Sequence, residues 1–252
     1  MIDVIAPNVI IDTEGFGDFD RSVIYPLLNE IILDLNKFYP FPFPYKIEIF
    51  HSDLGHSKTT KSYNQDFDIY FFIMKLDAKD MNICDWVGWF AHEYTHCLSQ
   101  YYRTIPFLQK WFEETICHIS KIRYLNKLSL GEYDTILGKM TPQVNQEAGN
   151  LVADYINSRN YISQTIESGL PSQFLWVVYQ TLPLAEDYYE GIASLVWHLF
   201  VENPNLLKII YPLSTSPSDV SIPQLVSHLH QNADESYRLS LEKMFDILRL
   251  NP

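Results

Sequence analysis

The chain of 252 residues carries 31 Asp and Glu against 18 Lys and Arg, a formal net charge of −13, with 47% hydrophobic and 15% aromatic residues. That balance, with the basic residues scattered singly, argues against nucleic-acid and anionic-membrane partners, which are held by clustered Lys and Arg. The apolar content is too high for a disordered acidic chain, and prolines at 171 and 183 interrupt the longest uncharged run, so no membrane span is expected.

Short β-rich runs bounded by Pro, Gly, Asn and Asp predict strands over Asn8 to Asp12, Tyr45 to Phe50 and Asp68 to Leu76. Between the first two, Ile24, Leu27, Leu28, Ile31, Ile32 and Leu35 follow three-and-four spacing and predict a helix within Asp20 to Phe38, with Pro26 in its first turn. The Pro40 to Pro44 and Ser52 to Gln65 stretches read as mobile loops. After residue 80 the pattern turns helical: Asp85 to Tyr102 with Asp85 as N-cap, then Pro106 to Lys127, Thr141 to Asn157, Ser172 to Leu182, Asp187 to Val201, Asn205 to Tyr211 and Ile222 to Leu248. The expectation is an α+β fold in one compact domain, 1–252, with a small N-terminal mixed β-sheet and the chemistry-bearing helices in 1–125 and a helical remainder in 126–252. Three cysteines (Cys84, Cys97, Cys117) and an N-terminus without a basic segment before Asp3 and Pro7 predict a reducing, cytoplasmic setting.

The second helix holds Ala91-His92-Glu93-Tyr94-Thr95-His96, an H-E-x-x-H pattern. Residues four apart share a helix face, so both imidazoles can point at one cation, while Glu93 projects beside it and can take a proton from bound water. One Zn2+ ion is the natural occupant. The flanking Trp86, Val87, Trp89, Phe90, Tyr94 and Leu98 predict a largely buried helix, whose polar face then needs a partner.

Eighteen residues after His96, Glu114 stands in Trp111-Phe112-Glu113-Glu114-Thr115. Here the chain resembles the gluzincin branch of zinc peptidases, and within it the aminopeptidase N family, whose third ligand is a Glu in a Trp-Leu-x-Glu-Gly setting. The resemblance implies a zincin-like, thermolysin-like catalytic core with His92, His96 and Glu114 as metal ligands, Glu113 being the alternative; both acids also suit an ordinary first helical turn. Tyr188-Tyr189-Glu190-Gly191 resembles the family's Tyr-x-Lys-Gly segment and implies that Tyr188 donates to the developing oxyanion, with Glu190 in place of Lys and Tyr189 as competitor. His118, four residues after Glu114, falls where thermolysin-like relatives carry Asp and could support a ligand. The family's Gly-x-Met-Glu-Asn strand, which grips a free amino terminus, has no counterpart in residues 1–84, so aminopeptidase activity is not expected. Cys97 and Cys117 read as small buried residues, His51 and His56 as surface groups, His198 as a core histidine, and His228 and His230 as facing different ways.

The expected function is a zinc metallopeptidase acting on a peptide or protein substrate laid against a sheet edge, for which Asp68 to Leu76 is the candidate strand. A non-catalytic or metal-free module of the same fold, and a zinc hydrolase of a non-peptide amide, are the alternatives.

Overall fold

The computed structural model describes residues 1–65, 67–102, 109–157, 164, 166–168, 186–217 and 220–250, with the side chains of 186–188 excepted. The architecture is α+β, as expected, with a small mixed sheet at the N-terminal end and helices after it. Two compact units are present: Met1–Leu98 with Ser120–Val152, and Ser99–Ile119 with Ala153–Pro252.

The first unit holds the sheet, built of β1 (Ile2–Ala6), β2 (Val9–Asp12), β3 (Lys46–His51), β4 (Lys58–Asn64) and β5 (Ile69–Leu76) in the order β1-β2-β3-β5-β4. β2, β3 and β5 run parallel, and β1 and β4 flank them antiparallel. Helix α1 (Arg21–Leu35) makes the crossover from β2 to β3, and its apolar stripe from Val23 to Leu35 is buried. Asp20 caps it by accepting from the Ser22 amide at 2.8 Å. Pro26 therefore lies in the second turn and not the first; its ring leaves the Ser22 carbonyl without a helical donor, a small loss so near the helix start. Val9, Ile11, Ile47, Ile49, Phe72, Met74 and Leu76 fill the buried face of the sheet.

Both edges differ from expectation. β1 was not predicted, because its alternation is inverted: Ile2 and Val4 face solvent, while Asp3 turns inward to Arg21 (2.8 Å) and the Tyr25 hydroxyl (2.7 Å). A charge aimed inward blunts an edge against pairing with other chains. The expected loop at 52–65 contains β4, Lys-Thr-Thr-Lys-Ser-Tyr-Asn, whose polar residues carry no apolar alternation and which takes its strand conformation from the ladder with β5. β5 is consequently an internal strand. The edge next to it is β4, which corrects the placement of the substrate edge on Asp68 to Leu76.

A clasp ties the loop after β2 to the turn ahead of the helix at Ile83–Ser99. Asp80 donates its amide to the Phe16 carbonyl (2.7 Å) and accepts from the Asp18 amide (2.9 Å). Gly17 has a φ of 78°, and a Cβ there would lie 2.0 Å from the Asp80 carboxylate, so only glycine fits.

Helices α2 (Ile83–Ser99) and α3 (Lys110–Ser129) follow, then α4 (Asp134–Leu137) and α5 (Thr141–Ile156). The second unit continues with α6 (Glu186–Glu202), a 3-10 stretch Pro204–Ile209 running into α7 (Ile210–Ser214), and α8 (Ile222–Gln231) and α9 (Arg238–Ile247). The last predicted helix is thus two. Asn232 turns back to cap the His228 carbonyl at 2.8 Å, and the Asp234 carboxylate accepts from the Ser236 amide at 2.7 Å, local bonds that compete with a continuous helix. The predicted helix Ser172 to Leu182 lies outside the described residues. No helix is long and apolar enough to cross a membrane among the described residues.

Within the first unit Asp34 of α1 accepts from the Tyr124 hydroxyl (3.0 Å), Lys127 (3.1 Å) and Arg123 (3.5 Å) of α3 and from Lys37 (3.3 Å). Burial alone would raise its pKa; Lys127, Tyr124 and Arg123 outweigh it and hold the carboxyl at about 2. A depressed pKa contributes stability above the ordinary carboxylate value that is lost as pH falls toward 2. Asp34→Asn should therefore cost about 1–2 kcal/mol at pH 7 and only about 0.4 kcal/mol at pH 2, where the folded-state carboxyl is half protonated, read from urea unfolding at the two pH values.

Candidate metal centre

Helix α2 starts two residues earlier than expected. Asn82 takes the capping role assigned to Asp85: its side chain accepts from the Asp85 amide at 3.3 Å and donates to the Asp85 carboxylate at 2.5 Å. From there the helix is packed on most of its circumference. Trp86, Val87, Phe90, Ala91, Tyr94, Cys97 and Leu98 are buried. The Trp86 indole donates to the Asp80 carbonyl (2.9 Å), and the Tyr94 hydroxyl donates to the Asn36 side chain (3.0 Å).

These anchors fix the orientation of the remaining face, which carries His92, Glu93 and His96. They are 3%, 2% and 5% exposed, so this polar face is not solvated in the ordinary way of a surface helix. The imidazole planes meet at 70° with centroids 5.0 Å apart, and a nitrogen of His92 lies within 4.8 Å of one of His96. One turn earlier, the Trp89 ring meets His92 edge to face at 5.9 Å, and the Lys121 ammonium lies 3.3 Å from the centre of the Trp89 ring. The Glu93 backbone carbonyl accepts from the Thr59 hydroxyl of β4 at 3.2 Å, which ties the edge strand to the motif itself. Nothing in the sequence pointed to that tie, since β4 reads as a polar loop.

The other predicted residues belong to the second unit. Glu113 is fully buried, with its carboxylate bound by Ser99 (2.5 Å), Gln100 (3.1 Å) and Lys110 (2.8 Å). Glu114 lies 3.0 Å from the same Lys110 ammonium, and a carboxylate oxygen of Glu114 is within 4.8 Å of a His118 ring nitrogen. His118 Nδ1 is 3.9 Å from a Glu190 oxygen. Tyr189, on α6, stacks obliquely by the His118 ring at 6.5 Å. Burial, and then the negative charge of Glu114, push its phenol up to about 12, so it stays protonated at neutral pH. Tyr188 belongs to the same helix, and its side chain lies outside the described residues. The structure thus brings His92 together with His96, and Glu114 together with His118 and Tyr189.

Two imidazoles and a carboxylate are the donor chemistry of catalytic zinc sites. All three cysteines are buried and outside any disulfide; burial was the expectation for Cys97 and Cys117. His228 and His230 have separate partners, the Pro212 carbonyl (3.0 Å) and Glu242 (2.9 Å). His198 is a correction: it is exposed, on the same outward side of α6 as Val201, and not in the core. His51, the last residue of β3, is half-buried with its ring edge-on to Phe16 at 5.2 Å, so of His51 and His56 only His56 is a surface group.

Gly88 sits one turn before His92, and a Cβ there would make ordinary contact with Lys121 and Leu125 at 3.5–3.7 Å. Gly88→Ala should therefore raise stability by about 0.5–1 kcal/mol through helix propensity, whereas Gly88→Leu should lower it by crowding those side chains; thermal melts of the two variants decide.

No protein-family model, no curated protein and no solved structure matches the chain.

Proposed function

We propose that the chain is a zinc-dependent metallopeptidase, with His92, His96 and Glu114 as the metal ligands in a zincin-like core. The observation that carries this reading is the pairing of two buried imidazoles on one face of α2 with Glu93 between them in sequence. Glu113 drops out as third ligand on this reading, because Ser99, Gln100 and Lys110 already engage its carboxylate. A bound zinc supplies Lewis acidity and brings the pKa of its water to around 7. Glu93 then receives a proton from the attacking water and returns it to the leaving amine. A tyrosine at the start of α6 donates to the developing oxyanion: Tyr188 by its place in the motif, or Tyr189, the phenol that feels the Glu114 charge. The substrate adds as an extended strand along β4, whose outer edge has no strand partner among the described residues and whose Thr59 is bonded to the Glu93 carbonyl.

A competing reading, a metal-free binding module, draws on Lys110, whose ammonium sits 3.0 Å from Glu114 and already offsets its charge. Metal analysis separates the two. Purified without chelator, the wild type should hold about one equivalent of zinc and His92→Ala much less than half; a zinc-free wild type would sink the peptidase reading. Glu93→Gln should keep the metal while peptide-library cleavage falls by about 10²-fold or more. Tyr188→Phe and Tyr189→Phe, assayed at matched zinc content, should differ by about 10²-fold in kcat, the slower variant marking the oxyanion donor.

A further inference from the structure

We propose that Glu113 and Lys110 are positioning residues that hold Glu114 in register to receive a metal ion; the inference rests on the zinc reading above and names what sets its third ligand. Glu113 is 0% exposed, and a buried carboxylate is tolerated only when charge and hydrogen bonds compensate it. Here Oε1 accepts from the Ser99 hydroxyl (2.5 Å) and the Gln100 amide (3.1 Å), and Oε2 from the Lys110 ammonium (2.8 Å).

Those partners come from two places in the chain. Ser99 is the last residue of α2, three positions after His96, and Gln100 follows it; Lys110 opens α3. Glu113 therefore ties the end of the motif-bearing helix to the first turn of the next and fixes how that turn is rotated. Once Glu113 points back at Ser99, Glu114 is set about 100° further round the helix.

Lys110 adds the second constraint. Its ammonium also sits 3.0 Å from Glu114 Oε1, so it bridges the two carboxylates and keeps one oxygen of Glu114 occupied. The three charges sum to −1, and neutralising Glu113 would leave Lys110 and Glu114 cancelling each other, a poorer environment for a cation.

The test uses the full chain and reads metal binding, not turnover. Zinc affinity is measured by competition with a chromophoric chelator, and the ligand field by the visible absorption of the Co2+-loaded protein. Glu113→Gln, which turns an amide donor toward one of the donors now facing the carboxylate, should weaken zinc binding 10- to 100-fold and alter the Co2+ spectrum. Lys110→Met should change the Co2+ spectrum by releasing Glu114 Oε1. Ser99→Ala removes one hydroxyl without introducing a mismatched group, and should give a smaller loss in the same direction; it carries the test if circular dichroism shows that Glu113→Gln does not fold. Zinc affinities within twofold of wild type and an unchanged Co2+ spectrum in the folded variants would overturn the clamp. A wild type that binds neither ion, or Glu114→Gln binding zinc as wild type does, would instead overturn the zinc reading and the clamp with it.

Discussion

Burying two imidazoles and a carboxylate on one face of a helix is costly unless the rest of that helix is held so firmly that the polar face cannot turn away. In α2 the holding is done by large aromatic groups with a polar tip. Trp86 and Tyr94 contribute apolar area over most of their surface and one directed hydrogen bond each, to Asp80 and Asn36. Between them they set both the depth and the rotation of the helix, and the direction in which His92 and His96 project follows from that. A leucine at either place would supply burial without rotation.

The sheet serves the same end. With three parallel strands at the centre and an antiparallel strand on each side, its two edges carry different chemistry. β1 hides an aspartate inward, whereas β4 presents Lys58, Thr60 and Ser62 on one face and is bonded to α2 at Thr59. An edge strand with a polar, β-branched sequence resists casual aggregation and still offers backbone donors and acceptors to an extended chain.

What was legible in the sequence, and what was not, divides along physical lines. The periodicity of α1 and α5 declared itself because each buries one stripe against a core, α2 and α6 stood out by their length and apolar content, and the pattern at His92, Glu93 and His96 needs only local spacing to be read. β1 and β4 were missed because edge strands owe their conformation to a neighbour's ladder and not to their own alternation. The split between α8 and α9 was hidden because Asn232 and Asp234 act through side-chain bonds to backbone that a hydrophobic pattern does not register. Glu113 looked like an ordinary first-turn acid; its burial depends on Ser99 and Gln100, thirteen and more residues away, and no local signal announces that. His198 misled for the opposite reason, since an apolar helix still has an outward stripe.

The clasp between Asp80 and the Phe16 to Asp18 loop bears on the order in which the molecule assembles. Asp80 also receives the Trp86 indole, so the entry into α2 is defined by residues more than sixty positions earlier in the chain. Contacts of that separation close late, because the loop-closure entropy must be overcome before they contribute. The helix carrying the histidine pair can form as a helix early, by local bonds alone, but it reaches its final seat only when the chain ahead of β3 has folded back onto it. Final seating of the face that carries His92 and His96 is then tied to completion of the sheet, and a nascent or damaged chain lacking the Phe16 to Asp18 loop would present the histidines on a helix without a fixed orientation.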